Sequence, residues 1–228
     1  MQFRRYAIYY TPDPGPLAQF GGSWLGWDPV EGRSITHPPT LGLPRTIKAL
    51  TDVPRKYGLH GTLKPPFFMK NGKTVKTLQD AIETLAAEAA PVWIDALKLA
   101  YIGGFVGLVP LGDQSSLVEL AARVVMELDD FRAPPSETEL ARRREKEMSP
   151  AQESMLAQWG YPYVLDEFQF HMTLTGDLTK SEADQVLSAL HPIVDPLLPI
   201  PFLVTSLTLL GEDQQGLFHE IQRYSLTG

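Results

Sequence analysis

Cysteine is absent from this 228-residue chain. That excludes a disulfide framework, a thiolate nucleophile and a cysteine-built zinc site. Also missing is an apolar run long enough for a signal peptide or a membrane span, at the start (Met1 to Tyr10, with two arginines) or elsewhere. The expectation is a cytoplasmic protein with no membrane partner. Positive charge is in deficit: 20 Lys and Arg stand against 27 Asp and Glu, a net charge of -7. Such a surface repels long nucleic acid, whereas a small anion in a locally basic pocket is easier to hold. There is no Walker-type phosphate loop and no Gly-x-Ser-x-Gly elbow, which argues against kinases and common hydrolases.

What the chain does have is 43% hydrophobic residues, enough for one large domain or two small lobes. It also has one short pattern that occurs twice: Tyr57-Gly58-Leu59-His60-Gly61-Thr62-Leu63-Lys64 and Phe168-Gln169-Phe170-His171-Met172-Thr173-Leu174-Thr175. Each reads as a strand, in which side chains two apart share a face. His60, Thr62 and Lys64 then point one way from the first copy, and Gln169, His171, Thr173 and Thr175 one way from the second. Each copy presents an imidazole and a hydroxyl side by side.

Around these strands the pattern predicts a first strand over Phe3 to Thr11, a short helix over Pro44 to Asp52, and a helix from an N-cap at Thr77 to Pro91. Two strands follow over Ala96 to Leu111, then a helix opened by a Ser116/Glu119 capping box and another opened at Ser149. The glycine- and tryptophan-rich stretch Phe20 to Asp28 reads as irregular. Its tryptophans read first as cover for the core, and a wall for a substrate ring, with Trp24 the candidate contact, is the minority reading. The charged run Glu137 to Glu147, with Arg142-Arg143-Arg144, reads most simply as a solvated helical face, and a phosphate clamp is the minority reading. After Gly176 the order returns: a helix capped by Thr179 and Glu182, then strands over Phe202 to Leu210 and Gly216 to Leu226. Each half runs from a His strand to a helix to a strand pair, which suggests two similar lobes.

His60-Gly61-Thr62 and His171-Met172-Thr173 resemble the signature of the two-histidine (2H) phosphoesterase superfamily. Tyr57 through Phe67, Gly160-Tyr161-Pro162-Tyr163-Val164 and Gly22 through Trp27 resemble its branch encoded in phosphonate-utilisation operons. The resemblance implies an α+β fold of two pseudo-symmetric lobes, with antiparallel sheets lining a central cleft and helices outside. It would be a single bilobal domain over residues 1–228, with approximate lobes 1–115 and 116–228 between which strands are open to exchange. It also implies catalysis by His60 and His171, phosphate binding by Thr62 and Thr173, and no metal or other cofactor.

The chemistry is coherent without the name. Opening a cyclic phosphodiester needs a base for the attacking water and an acid for the leaving oxygen on opposite sides of phosphorus, and two imidazoles supply both. The hydroxyls can steady the phosphoryl oxygens. Lys64, Arg55, Tyr163 and Trp24 are the candidate substrate contacts. His37, His191 and His219 lack a threonine partner and read as structural. The expected activity is a metal-independent cyclic phosphodiesterase acting on a small cyclic phosphate in phosphonate metabolism. The alternatives are a non-catalytic module that binds a phosphorylated metabolite or a pathway partner, a ligase-like relative, and an enzyme processing RNA 2′,3′-cyclic phosphates.

Overall fold

The computed structural model describes residues 2–145 and 147–228. In chain order its first half holds β1 (Arg5–Tyr10), α1 (Pro16–Leu25), β2 (Trp27–Asp28), β3 (Arg33–Ser34), α2 (Ile47–Leu50), β4 (Gly61–Phe67), α3 (Val75–Glu88), β5 (Val92–Ile94), β6 (Ala96–Ile102) and β7 (Phe105–Leu111). There follow α4 (Ser115–Glu127), α5 (Glu137–Arg143), α6 (Pro150–Trp159), β8 (Met172–Thr173), α7 (Lys180–Val194), β9 (Phe202–Val204), β10 (Ser206–Glu212) and β11 (Phe218–Ser225). Among the described residues, no helix is long and apolar enough to cross a membrane.

The fold class is α+β, built on antiparallel strand pairs. Seven strands join in one sheet in the order β11-β10-β1-β4-β8-β7-β6. The segment β4-α3-β5-β6-β7 recurs as β8-α7-β9-β10-β11, and the two runs meet where β4 pairs with β8 and β5 with β9. Their helices are exchanged: α3 packs on β10 and β11, α7 on β6 and β7. Leu78, Ile82 and Leu85 of α3 and Ala183, Val186 and Leu190 of α7 are therefore buried against the hairpin of the other run.

Three local expectations change. The stretch around Trp24 is helical, not irregular. Pro16 opens α1 with its φ already set, and Leu17, Phe20, Gly21 and Trp24 recur at helical spacing as its buried face. The cap of α3 is Thr74, not Thr77; the Thr77 hydroxyl instead reaches back to the Thr74 backbone N–H, completing a capping box. At α4 the box expected from Ser116 and Glu119 is not formed. The helix starts at Ser115, whose N–H and hydroxyl both donate to Asp113.

The sheet is tight where the two runs meet. A Cβ placed on Gly61 would lie 2.3 Å from the Phe170 ring, itself buried against Tyr10 and Phe202. Gly61→Ala is therefore expected to cost about 1–3 kcal/mol, the range for overpacking a filled core. Chemical denaturation checks this, and an unchanged midpoint would show that Phe170 yields freely.

Candidate active site

Two short strand segments form the floor. Gly61 lies opposite Met172, and one step along the antiparallel register in each direction puts His60 opposite Thr173 and Thr62 opposite His171. Directly opposed residues stand about 5 Å apart at Cβ and diagonal ones about 7–8 Å. The imidazoles thus occupy opposite corners of a square, each with a hydroxyl beside it. All four side chains line one cavity of about 330 Å³, together with Tyr9, Tyr57, Tyr161, Arg5, Arg142 and Arg143. The second His segment is mostly extended chain, since only Met172–Thr173 pair as strand.

Both rings are held in the same way. His60 Nδ1 lies 3.0 Å from the Gly58 carbonyl oxygen, and His171 Nδ1 lies 2.8 Å from that of Gln169. A carbonyl only accepts, so Nδ1 carries the proton in each ring and Nε2 is left for the cavity. The first of these bonds depends on Gly58. Its φ of 69° lies in the left-handed region, and a Cβ there would meet Pro29 at 2.3 Å.

The surroundings of the two rings differ. His60 stacks on Tyr9 at 4.0 Å between centroids, with Tyr57 at 5.4 Å on another side, whereas His171 has Phe105 at 5.4 Å. Burial pushes His60 down to about 4; its bond to Gly58 opposes the shift and the nearby His171 adds to it. Burial likewise pushes the Tyr9 phenol up, so it stays neutral.

The other sequence candidates lie elsewhere, each for a visible reason. Lys64 does not share the face of His60 and Thr62. Tyr9 pairs with Thr62 and Ile8 with Lys64, so β4 advances two residues while β1 advances one. This bulge turns the side chain over. Lys64 is 2% exposed, and its Nζ lies 3.0 Å from the Val125 oxygen and 3.2 Å from Asp129 Oδ1 at the end of α4. Burial draws it down to about 8 against the pull of Asp129.

Arg55 donates to the carbonyls of Leu25 and Lys48 and to the Thr51 hydroxyl, tying the loop before β4 to α1 and α2. Trp24 is fully buried, with its indole N–H donating to the Leu174 carbonyl at 2.8 Å. Tyr163 is exposed and packs edge-on against Tyr161, which is the tyrosine that lines the cavity. Of the remaining histidines, His37 lies against the carbonyls of Ser23 and Trp24, His191 against Asp195 and His219 against Asp213.

Arg142 and Arg143, for which a phosphate clamp was the minority reading, line the cavity, and so do Arg5, Tyr9, Tyr57 and Tyr161, which were not among the candidate contacts. The Arg142-Arg143-Arg144 triplet was the available signal, but its acidic neighbours made it read as a solvated face.

Residues 62–219 match the family described as Protein of unknown function (DUF1045). The chain belongs to this family. Two curated relatives are named Ribose 1,5-bisphosphate phosphokinase PhnN. The one from Janthinobacterium sp. (strain Marseille) is 34% identical, the match covering 98% of this chain and 51% of the relative. The one from Laribacter hongkongensis (strain HLHK9) is 31% identical over 93% of this chain and 49% of the relative. The DUF1045 chain thus spans about half the length of the curated relatives it matches. Among solved structures it is similar to E. coli LigT complexed with 3'-AMP, with 16% identity, full coverage of both chains and a TM-score of 0.44.

Proposed function

We propose that this chain is a metal-independent phosphodiesterase that opens a small cyclic phosphate by two-histidine acid-base catalysis, with a place in phosphonate metabolism. The observation that carries the reading is the matched pair of imidazoles. Each is fixed through Nδ1 to the carbonyl two residues earlier, and each lies across the strands from a threonine in one cavity. Such a lining suits an anionic ester whose leaving oxygen takes up a proton while the attacking water gives one up.

His60, kept neutral by burial, takes the proton of the attacking water at Nε2 as the water oxygen bonds to phosphorus. His171, in the role of the acid, gives a proton from Nε2 to the ester oxygen whose bond to phosphorus breaks. Thr62 and Thr173 donate to the non-bridging oxygens as their charge rises. The product is a phosphate monoester on the same molecule, and the proton borne by His60 restores His171 through solvent.

The curated relatives' names bear on the substrate. Gly72-Lys73-Thr74 stops short of a phosphate loop because Phe67 stands where the first glycine is needed. Lys73 is paired with Asp130, and Thr74 caps α3. We therefore assign the phosphokinase chemistry to the part of those proteins outside the match. A module joined to a kinase of ribose 1,5-bisphosphate fits a step that yields a sugar bisphosphate. Opening a 1,2-cyclic phosphate on a 5-phosphorylated ribose does so.

The test is a screen of ribose 1,2-cyclic phosphates and nucleoside 2′,3′-cyclic phosphates with and without a strong chelator. Hydrolysis undiminished by the chelator is expected; activity lost on chelation and restored by zinc or manganese would contradict the mechanism. The pH profile gives a second check. With His60 at about 4, the base form persists on acidification well below the usual histidine range near 6.5. The acid limb of kcat/KM is expected near pH 4 and should vanish in His60→Ala. The acid limb of kcat should lie higher, because a bound phosphate anion favours the imidazolium. An acid limb of kcat/KM at pH 6 to 7 would contradict His60 as the buried base.

A further inference from the structure

Three guanidinium groups line the cavity that holds the two histidines, and among the described residues no carboxylate does. The three are not equivalent. Arg5 is neutralised by Glu212 in a two-point contact, with Nη2 2.6 Å from Oε1. Arg142 and Arg143 end α5, where successive side chains fan by about 100°. Arg144, one step further, swings outward to Glu153, with Nε 2.9 Å from Oε1, while its two predecessors remain over the cavity.

Arg143 lies 4.8 Å above the Tyr161 ring, and its Nε is shut from water with no hydrogen-bond partner among the described residues. Burial disfavours its charge, with Tyr161 and Glu139 opposing the shift. A bound anion would relieve both deficits.

This charge exceeds what one cyclic phosphodiester brings. Such a diester carries a single negative charge, and the two threonine hydroxyls already face it. A phosphomonoester carries about -1.5 to -2 near neutral pH, and planar guanidinium forks match its oxygens two at a time. A cavity of about 330 Å³ lies at the lower end of the usual range for small-molecule sites. That suits a pentose with two phosphates better than a nucleotide with its base.

We propose that Arg142 and Arg143 form a subsite for a second phosphate, a monoester elsewhere on the same molecule, so that the substrate is a doubly phosphorylated sugar with one phosphate closed into a ring. This rests on the phosphodiesterase reading of His60 and His171, and it assigns the arginines to selectivity.

The kinetic test compares ribose 1,2-cyclic phosphate with its 5-phosphorylated counterpart. The full chain should prefer the latter by about 10² in kcat/KM, mainly through KM. In Arg142→Gln/Arg143→Gln the ratio should fall toward one, while Arg144→Gln should preserve it. Equal losses on both substrates in the double variant would place the arginines on the cyclic phosphate and overturn the proposal, as would a wild-type ratio near one.

Calorimetry with ribose 5-phosphate separates this from the catalytic reading. Binding should persist in His60→Ala and weaken at least tenfold in the double arginine variant. No binding, or equal binding by wild type and double variant, overturns the subsite. Binding that follows the arginines, with no cyclic phosphate hydrolysed, leaves the subsite standing and removes the phosphodiesterase reading.

Discussion

Replacing His60 or His171 with alanine is expected to lower turnover by about 10²–10⁴-fold, the range for removing a positioned general acid or base. The two losses should not add. Each ring serves the same transition state, so once one proton transfer is gone the second imidazole has little left to accelerate. Each single variant should also lose one limb of the pH profile. Thr62→Ala and Thr173→Ala should cost less, since each removes one donor to the phosphoryl oxygens while both proton transfers continue. Steady-state kinetics on the best cyclic phosphate, with circular dichroism to confirm folding, decides the matter. A folded His171→Ala that keeps its rate and both limbs would make His171 a packing residue and end the two-histidine mechanism.

The second large effect is on stability. Trp24→Ala should destabilise the chain by about 3–5 kcal/mol, the usual cost of emptying the space of a large buried aromatic. Trp24 has no exposed surface, stacks with Phe20 at 6.0 Å between centroids, and donates to the carbonyl of Leu174, the residue after Thr173. Trp24→Phe should keep most of the packing but leave that carbonyl unpaired, at about 1–3 kcal/mol. Urea denaturation reads both. A Trp24→Ala chain of undiminished stability that binds substrate poorly would restore Trp24 as a substrate wall.

Tyr161 and Tyr163 show how fine the limit of sequence reading is. Both lie in the stretch that resembles the phosphonate-linked branch, and at this spacing either is a fair candidate. The turn after α6 sends one ring to the cavity and leaves the other in solvent. No local pattern distinguishes them, because the choice is made by packing against Arg143, a residue of another helix.

What the sequence determined by itself was short in range. Strand alternation puts a histidine and the threonine two residues on along one face. The capping boxes at Ser149 and Thr179 start α6 and α7, since cap bonds span only three residues. The repeated order of elements was legible for the same reason. The tertiary structure decided whatever depended on a partner distant in the chain. Pairing β1 with β4 inserts one extra residue and turns Lys64 into the core. Packing α1 on the sheet makes Trp24 structural. Folding α5 over the cavity separates Arg142 and Arg143 from Arg144, which a linear reading joins in one charged run. Ladder register and side-chain burial are set by the opposing surface, and that surface exists only once the chain has closed on itself.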